Sequence, residues 1–282
     1  MKKVILITLA LILALCPAVL AACSSVNQIN AISVSWSDYE QFKFNIYEGD
    51  SNASIGTMSM TFERILAETV VEVGGDEYTV KEGAIISTEL EITSGTYLGD
   101  KITSKVLVKS SLVPVASYKV FESNDENRAY TSKIVYTKKK AYITVNGKET
   151  SFKAKNCYDN DSLYTLARAS RLSDSSYTLS IAGVDNLQGG TRTVAFGKAN
   201  NVTLTNALFC DDANVPKELN CYHVTLSTAA KYGSSTQAHI YLAVEKQDVK
   251  RADDSVVRVL KVPLKIVEGD FSYILTEVKL DK

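Results

Sequence analysis

The sequence predicts a mainly β fold, one large antiparallel domain with a single helix near its middle. Three observations predict it. Apolar and polar residues alternate over long stretches, turn-forming pairs recur between those stretches, and one segment alone changes to helical spacing. Composition agrees: of 282 residues 45% are hydrophobic and 22% charged, ordinary for a folded chain and foreign to disordered or disulfide-scaffold sequences. A net charge of -1 gives no basic footprint for nucleic acid, so none is expected as a partner.

The N-terminus reads as an address. Lys2 and Lys3 precede an apolar run from Val4 to Leu15, shorter than the roughly 20 helical residues that cross a hydrocarbon core. Leu20-Ala21-Ala22-Cys23 then resembles the lipobox of bacterial lipoproteins, in which the cysteine thiol receives a diacylglyceryl group before cleavage frees its amine. Two or more acyl chains, palmitate among them, anchor stably where one does not, because each buried methylene contributes roughly 0.8 kcal/mol. The resemblance implies a signal peptide over 1–22, lipidation at Cys23 and attachment to the extracytoplasmic face of a bacterial cell or outer membrane. Residues 23–35 carry no charge and read as a tether, leaving 36–282 as one β domain.

Strands follow in order. Phe42, Phe44 and Ile46 alternate with Lys43, Asn45 and Tyr47, as Ile86 to Ile92 and Ala238 to Val244 do with their polar neighbours. Gly74-Gly75, Gly95-Thr96, Gly189-Gly190 and Gly269-Asp270 mark turns, and Asn146-Gly147 between apolar alternations marks a two-residue hairpin. Lys138, Lys139 and Lys140 read as a solvated turn or edge. The helix is expected over 161–171, capped by Asp161 or Ser162, with Leu163, Leu166 and Ala167 on one face and Arg168 near the end where a cation suits the macrodipole.

The run Asp159-Asn-Asp-Ser162-Leu-Tyr-Thr-Leu-Ala-Arg168 resembles the Asp-Pro-Leu-Ser-x-x-x-x-x-Arg segment of a bacterial family of exported, often lipid-anchored proteins known only as a domain of unknown function. Asp159, Ser162 and Arg168 match; Asn160 and Asp161 replace its Pro-Leu. The resemblance implies a lipoprotein-carrier-like fold, a curved antiparallel sheet of half-barrel or β-clam form closed on one side by helix and loops, whose concavity shelters acyl chains.

No catalytic spacing such as Gly-x-Ser-x-Gly, His-Glu-x-x-His or Cys-x-x-Cys occurs, so no enzyme and no cofactor is expected. Two function classes remain: a lipid-anchored, non-enzymatic carrier of an acyl chain or similar apolar ligand, and an interaction lipoprotein that contacts an envelope protein or polysaccharide. His223 and His239 lie on facing arms of a hairpin centred near 231. They are expected as half-exposed strand residues without a ligand; the alternative is a zinc or copper pair with Tyr241 or Glu245 nearby. With Cys16 removed and Cys23 lipidated, Cys157, Cys210 and Cys221 remain. Cys210 and Cys221 bracket a polar loop whose bridging would contribute roughly 2–4 kcal/mol, and three reduced thiols are the alternative.

Mass spectrometry of the mature N-terminal peptide is expected to find acylated Cys23 as the first residue, and a Cys23→Ala chain is expected to leave the membrane fraction. An unmodified terminus at another residue refutes the anchor.

Overall fold

The computed structural model describes residues 36–154, 156–170, 176–185, 187–207, 217–228 and 237–281. The expected signal peptide, Cys23 and the tether lie outside them. Strands β1 (Tyr39–Glu48), β2 (Gly56–Ile65), β3 (Thr69–Val73), β4 (Asp76–Val80), β5 (Gly83–Ile92), β6 (Lys101–Lys109) and β7 (Pro114–Glu122) open the chain. β8 (Tyr130–Tyr136), β9 (Lys140–Val145), β10 (Lys148–Lys153) and β11 (Cys157–Asp159) lead into a 3-10 turn, Asn160–Ser162, and helix α1 (Leu163–Ala169). β12 (Tyr177–Asp185), β13 (Gln188–Phe196), β14 (Asn200–Ala207), β15 (Lys217–Thr228) and β16 (Gln237–Ala243) follow. β17 (Gln247–Lys250), β18 (Val256–Val259), β19 (Pro263–Glu268) and β20 (Phe271–Lys279) complete it.

Sixteen of these strands form one sheet that does not close, in the order β10-β9-β8-β7-β6-β5-β2-β1-β20-β19-β16-β15-β13-β12-β11, with β14 also on β15. The hairpins β3–β4 and β17–β18 stand apart from it. The mainly β, largely antiparallel fold with one short helix is thus as the alternation requires. Period 2 sorts the side chains: Phe42, Phe44 and Ile46 of β1 are buried, and Phe42 and Phe44 face Met60 and Met58 of β2 across the ladder. Asn146 and Gly147 both take positive φ, 48° and 79°, which is what a two-residue turn matched to strand twist demands, and β9 pairs with β10 around them.

One pair departs from the antiparallel rule. β11 runs parallel to β12, Cys157 to Asp159 against Ser180 to Ala182. Parallel neighbours need a crossover of a dozen or more residues, and the turn and α1 are that crossover. The helix therefore has a topological reason to be where it is. It is shorter than expected: Ser170 is already extended, at φ -75° and ψ 159°, and residue 171 lies outside the described residues.

The main core lies on the inner face of the curved sheet. Leu166, Ala167 and Ala169 of α1 pack there with residues from both halves of the chain, including Phe44, Ile86, Phe196, Ile240 and Leu275. Where the ends of the sheet approach each other, Ile134, Ile143 and Val145 of one end form a second cluster with Cys157 and Ala182 of the other. On the outer face the β3–β4 hairpin covers a third cluster, in which Val71 and Val73 meet Leu107 and Ala116.

Candidate functional site

The segment 159–168, singled out by sequence, is the point where the two ends of the sheet and the interior are tied together. Asp159 ends β11 and is 2% exposed. Its carboxylate accepts from the Asp161 backbone N–H at 2.8 Å and from the Tyr136 hydroxyl of β8 at 2.6 Å. Asp159, rather than Asp161 or Ser162, is thus the residue that caps the turn. Ser162 makes no side-chain cap bond; its hydroxyl donates to the Asp159 carbonyl at 2.7 Å. Asn160 accepts from Arg192 of β13, and Asp161 pairs with Lys119 of β7 at 2.8 Å. Four successive side chains therefore reach three strands and their own turn.

Burial sets the charge states here. It raises Asp159 to about 6, helped by the Asp161 charge and opposed by hydrogen bonds from Ser117, Tyr136 and the Asp161 N–H. The Tyr136 phenol is pushed well above its ordinary value by burial and by Asp159. Burial works against the Lys119 ammonium, but Asp161 and its neighbours outweigh it and hold Lys119 charged.

Arg168 does something its position near a helix end did not announce. It is 2% exposed and pairs at 2.8 Å with Glu40 of β1, which is fully buried. Its Nε and Nη2 donate to the carbonyls of Lys261 at 3.0 Å and Leu260 at 3.1 Å, and its guanidinium lies 4.6 Å from the Trp36 ring centre and 4.7 Å from that of Phe42. Glu40 also accepts from the Ser37 N–H at 3.1 Å. Lys261, at φ 50°, donates to the Ser170 carbonyl at 2.6 Å; burial, and then Arg168, lower it to about 8. These contacts clamp the helix to β1 and to the turn between β18 and β19.

The histidines meet, but not directly across the ladder. Cα partners are His223 with Tyr241 and Thr225 with His239, so the two are diagonal neighbours on the outer face. Their rings lie 5.1 Å apart, with His223 Nε2 2.9 Å from His239 Nδ1. Among the described residues no third His, Cys, Asp or Glu completes a metal cluster. Cys157 and Cys221 are buried free thiols, each raised to about 11 chiefly by burial, which keeps both protonated at neutral pH. Cys210, the expected bridge partner of Cys221, lies outside the described residues.

A different feature was not anticipated: a depression of about 390 Å³ on the outer face of β1, β2, β5 and β6. Lys43, Asn45, Ser59, Glu89, Glu91 and Lys101 line it, all on the polar parity of their strands. Lys101 pairs with Glu91 and Lys43 with Glu277, each at 2.7 Å.

Two outcomes are expected of the clamp and the cap. Arg168→Met should cost about 3–5 kcal/mol in denaturant unfolding, because Glu40 is left buried without its partner, whereas Glu40→Leu combined with Arg168→Met should recover most of that loss. Asp159, raised above its unfolded value of 3.8, is disfavoured as an anion in the fold, so its protonated state supports stability most below about pH 4. That contribution is lost as pH rises to about 6, and Asp159→Asn should flatten the stability profile in this window.

No family model matches the chain, and no curated protein matches it. Among solved structures the chain is similar to a β-barrel-like protein of domain of unknown function DUF1849 from Brucella abortus, with a TM-score of 0.47 and 11% identity over 86% of this chain and 98% of that one.

Proposed function

We propose that the chain is a lipid-anchored, extracytoplasmic, non-enzymatic interaction protein that contacts an envelope protein through the outer face of its sheet. One observation carries the reading: the apolar face is filled by the protein's own side chains, while the polar face holds the open depression. Phe42, Phe44, Phe196, Leu166, Ile240 and Leu242 are all essentially fully buried along the interior where a carrier would need empty apolar volume. That filling favours interaction over acyl transport.

The depression suits a protein partner better than a sugar chain. Its one aromatic residue, Phe44, is 1% exposed, so no ring is offered for a sugar to stack on. Hydroxyls of Thr57, Thr103 and Thr276 and the two ion pairs instead give a mixed polar surface of the kind that forms the wet rim of protein interfaces. In this reading Asp159, raised by burial, is a structural group: it is 2% exposed and its oxygens are engaged by the fold itself. In this reading the attachment is the acyl group at Cys23.

Photo-crosslinking residues placed at exposed Thr57 and Thr103 in living cells should each give a discrete protein adduct, while one at exposed Thr150 of β10 should not. Native mass spectrometry of Cys23→Ala protein should show a ligand-free chain. An apolar ligand retained at one-to-one stoichiometry would return the carrier reading, and adducts of polysaccharide alone would overturn the protein partner.

A further inference from the structure

We propose that the loop end of the sheet where β1 begins docks on anionic lipid headgroups through Lys109, Lys138, Lys139, Lys140 and Lys153. That the bilayer is the one holding Cys23 rests on the reading proposed above; the lysine face itself is built by the sheet. Strand registers bring it together. β1 starts at Tyr39 opposite Glu63 of β2, and the same end continues through Ile65, Gly83 of β5 and Lys109 of β6. The turns 110–113 and 137–139 lie at this end, and β10 finishes there with Lys153 opposite Lys140.

Three consecutive lysines expected only as a solvated turn thus join two from other strands. The turn that presents them is fixed: the Thr137 hydroxyl donates to the Lys140 carbonyl at 2.8 Å and accepts from the Lys140 N–H at 3.0 Å. All five lysines are exposed, and among the described residues none forms an ion pair. Other cations of this end are matched, Lys81 by Glu68, Lys250 by Asp254 and Arg258 by Asp248. Exposed Glu82 of the β4–β5 turn is the unmatched acid beside them among the described residues of these turns, so the balance stays positive. Lys140 and Lys153 face each other directly across the ladder, a like-charge pair that costs stability until an outside anion relieves it.

Two further features select a membrane as that anion. Leu66, 62% exposed just past β2, and Val113, 38% exposed on the 110–113 turn, give the same end apolar side chains for shallow burial among headgroups. The opposite loops expose Asp50, Asp125, Glu126 and Asp270, so an anionic surface attracts one end and repels the other. A membrane potential fades within about 8 Å at physiological salt, and the five lysines share that layer only when their end faces the bilayer. A flexible chain the length of residues 23–35 averages about 20 Å end to end, less than the about 34 Å spanned by β1. The tether therefore holds the lysine end near the surface and makes a weak contact effectively intramolecular. Thr57, Glu91 and Lys101 of the polar depression pair toward the far end of their strands, which leaves it open to a partner.

The test is co-sedimentation of residues 23–282, made in the cytosol so that Cys23 stays unacylated, with phosphatidylcholine vesicles with and without 30% phosphatidylglycerol. At low salt the anionic vesicles are expected to bind at least about tenfold more tightly, and 0.5 M salt should abolish the difference. Each lysine at such a surface contributes about fivefold, so Lys138→Glu, Lys139→Glu and Lys140→Glu together should weaken binding at least tenfold with unchanged circular dichroism. Lys148→Glu at the far end should not weaken it. Equal binding to both vesicles, an unaffected triple variant, or full competition by a soluble anionic polysaccharide at equal charge would each overturn the face. Vesicle binding without an acylated N-terminus in cells upholds the face and removes the anchor; acylation without vesicle binding removes the face and keeps the anchor.

Discussion

A charged pair in a dry interior sets the terms for the rest of this fold. Glu40 is fully buried and Arg168 nearly so, and neither could be there alone, since an unpaired ion in such surroundings costs several kcal/mol. Pairing them requires the last turn of α1 to reach β1 across the inner face of the sheet. That reach places Leu166, Ala167 and Ala169 in the main core, and it draws the 260–261 turn in to satisfy the remaining guanidinium donors. Trp36 and Phe42 cover the guanidinium with their ring faces, so the charge is screened by aromatic electrons where water is excluded. The helix thereby fills the curve of the sheet.

The join between the two ends of the sheet follows a related logic on a smaller scale. The apolar part is the cluster around Ile143 and Cys157, where Gly189 of β13 has no room for a side chain beside Ile143 of β9. The polar part is the Asp159–Ser162 turn, whose side chains take donors from Tyr136 and Arg192 and an ion-pair partner from Lys119. Backbone ladder bonds are missing across this gap, because the sheet does not close, and side chains of a crossover turn hold the two ends in register instead. Away from the cluster under β3–β4, the outer face carries the depression on β1, β2, β5 and β6 and the histidine pair on β15 and β16.

Some of this was legible from particular residues. Glu40 shares the parity of Phe42, Phe44 and Ile46, so the alternation alone put an acid on the core face and asked for a buried cation. The alternation does not name that cation, because Arg168 is 128 residues away in sequence. The resemblance around the helix marked Asp159, Ser162 and Arg168, and all three are structural ties, one closing the sheet ends, one holding the turn and one clamping the interior. The histidine hairpin centred near 231 is a hairpin in the fold, but its register differs by two residues from one that sets the two histidines directly opposite, which keeps both on one face.

The sequence by itself determined the strands, their buried faces, the Asn146-Gly147 turn and the existence of one helix, because period, turn chemistry and capping act over a few residues. The lipobox-like run that ends at Cys23, on which the proposed anchor rests, is a local pattern of the same kind. Tertiary structure decided everything that depends on strands meeting at a distance: the order of the sheet, the parallel β11–β12 pair, the partner of Arg168, the raised Asp159, the free Cys221 and the 2.9 Å between two imidazoles. Those are consequences of burial and of contacts between residues far apart in the chain, and a pattern of nearest neighbours contains neither.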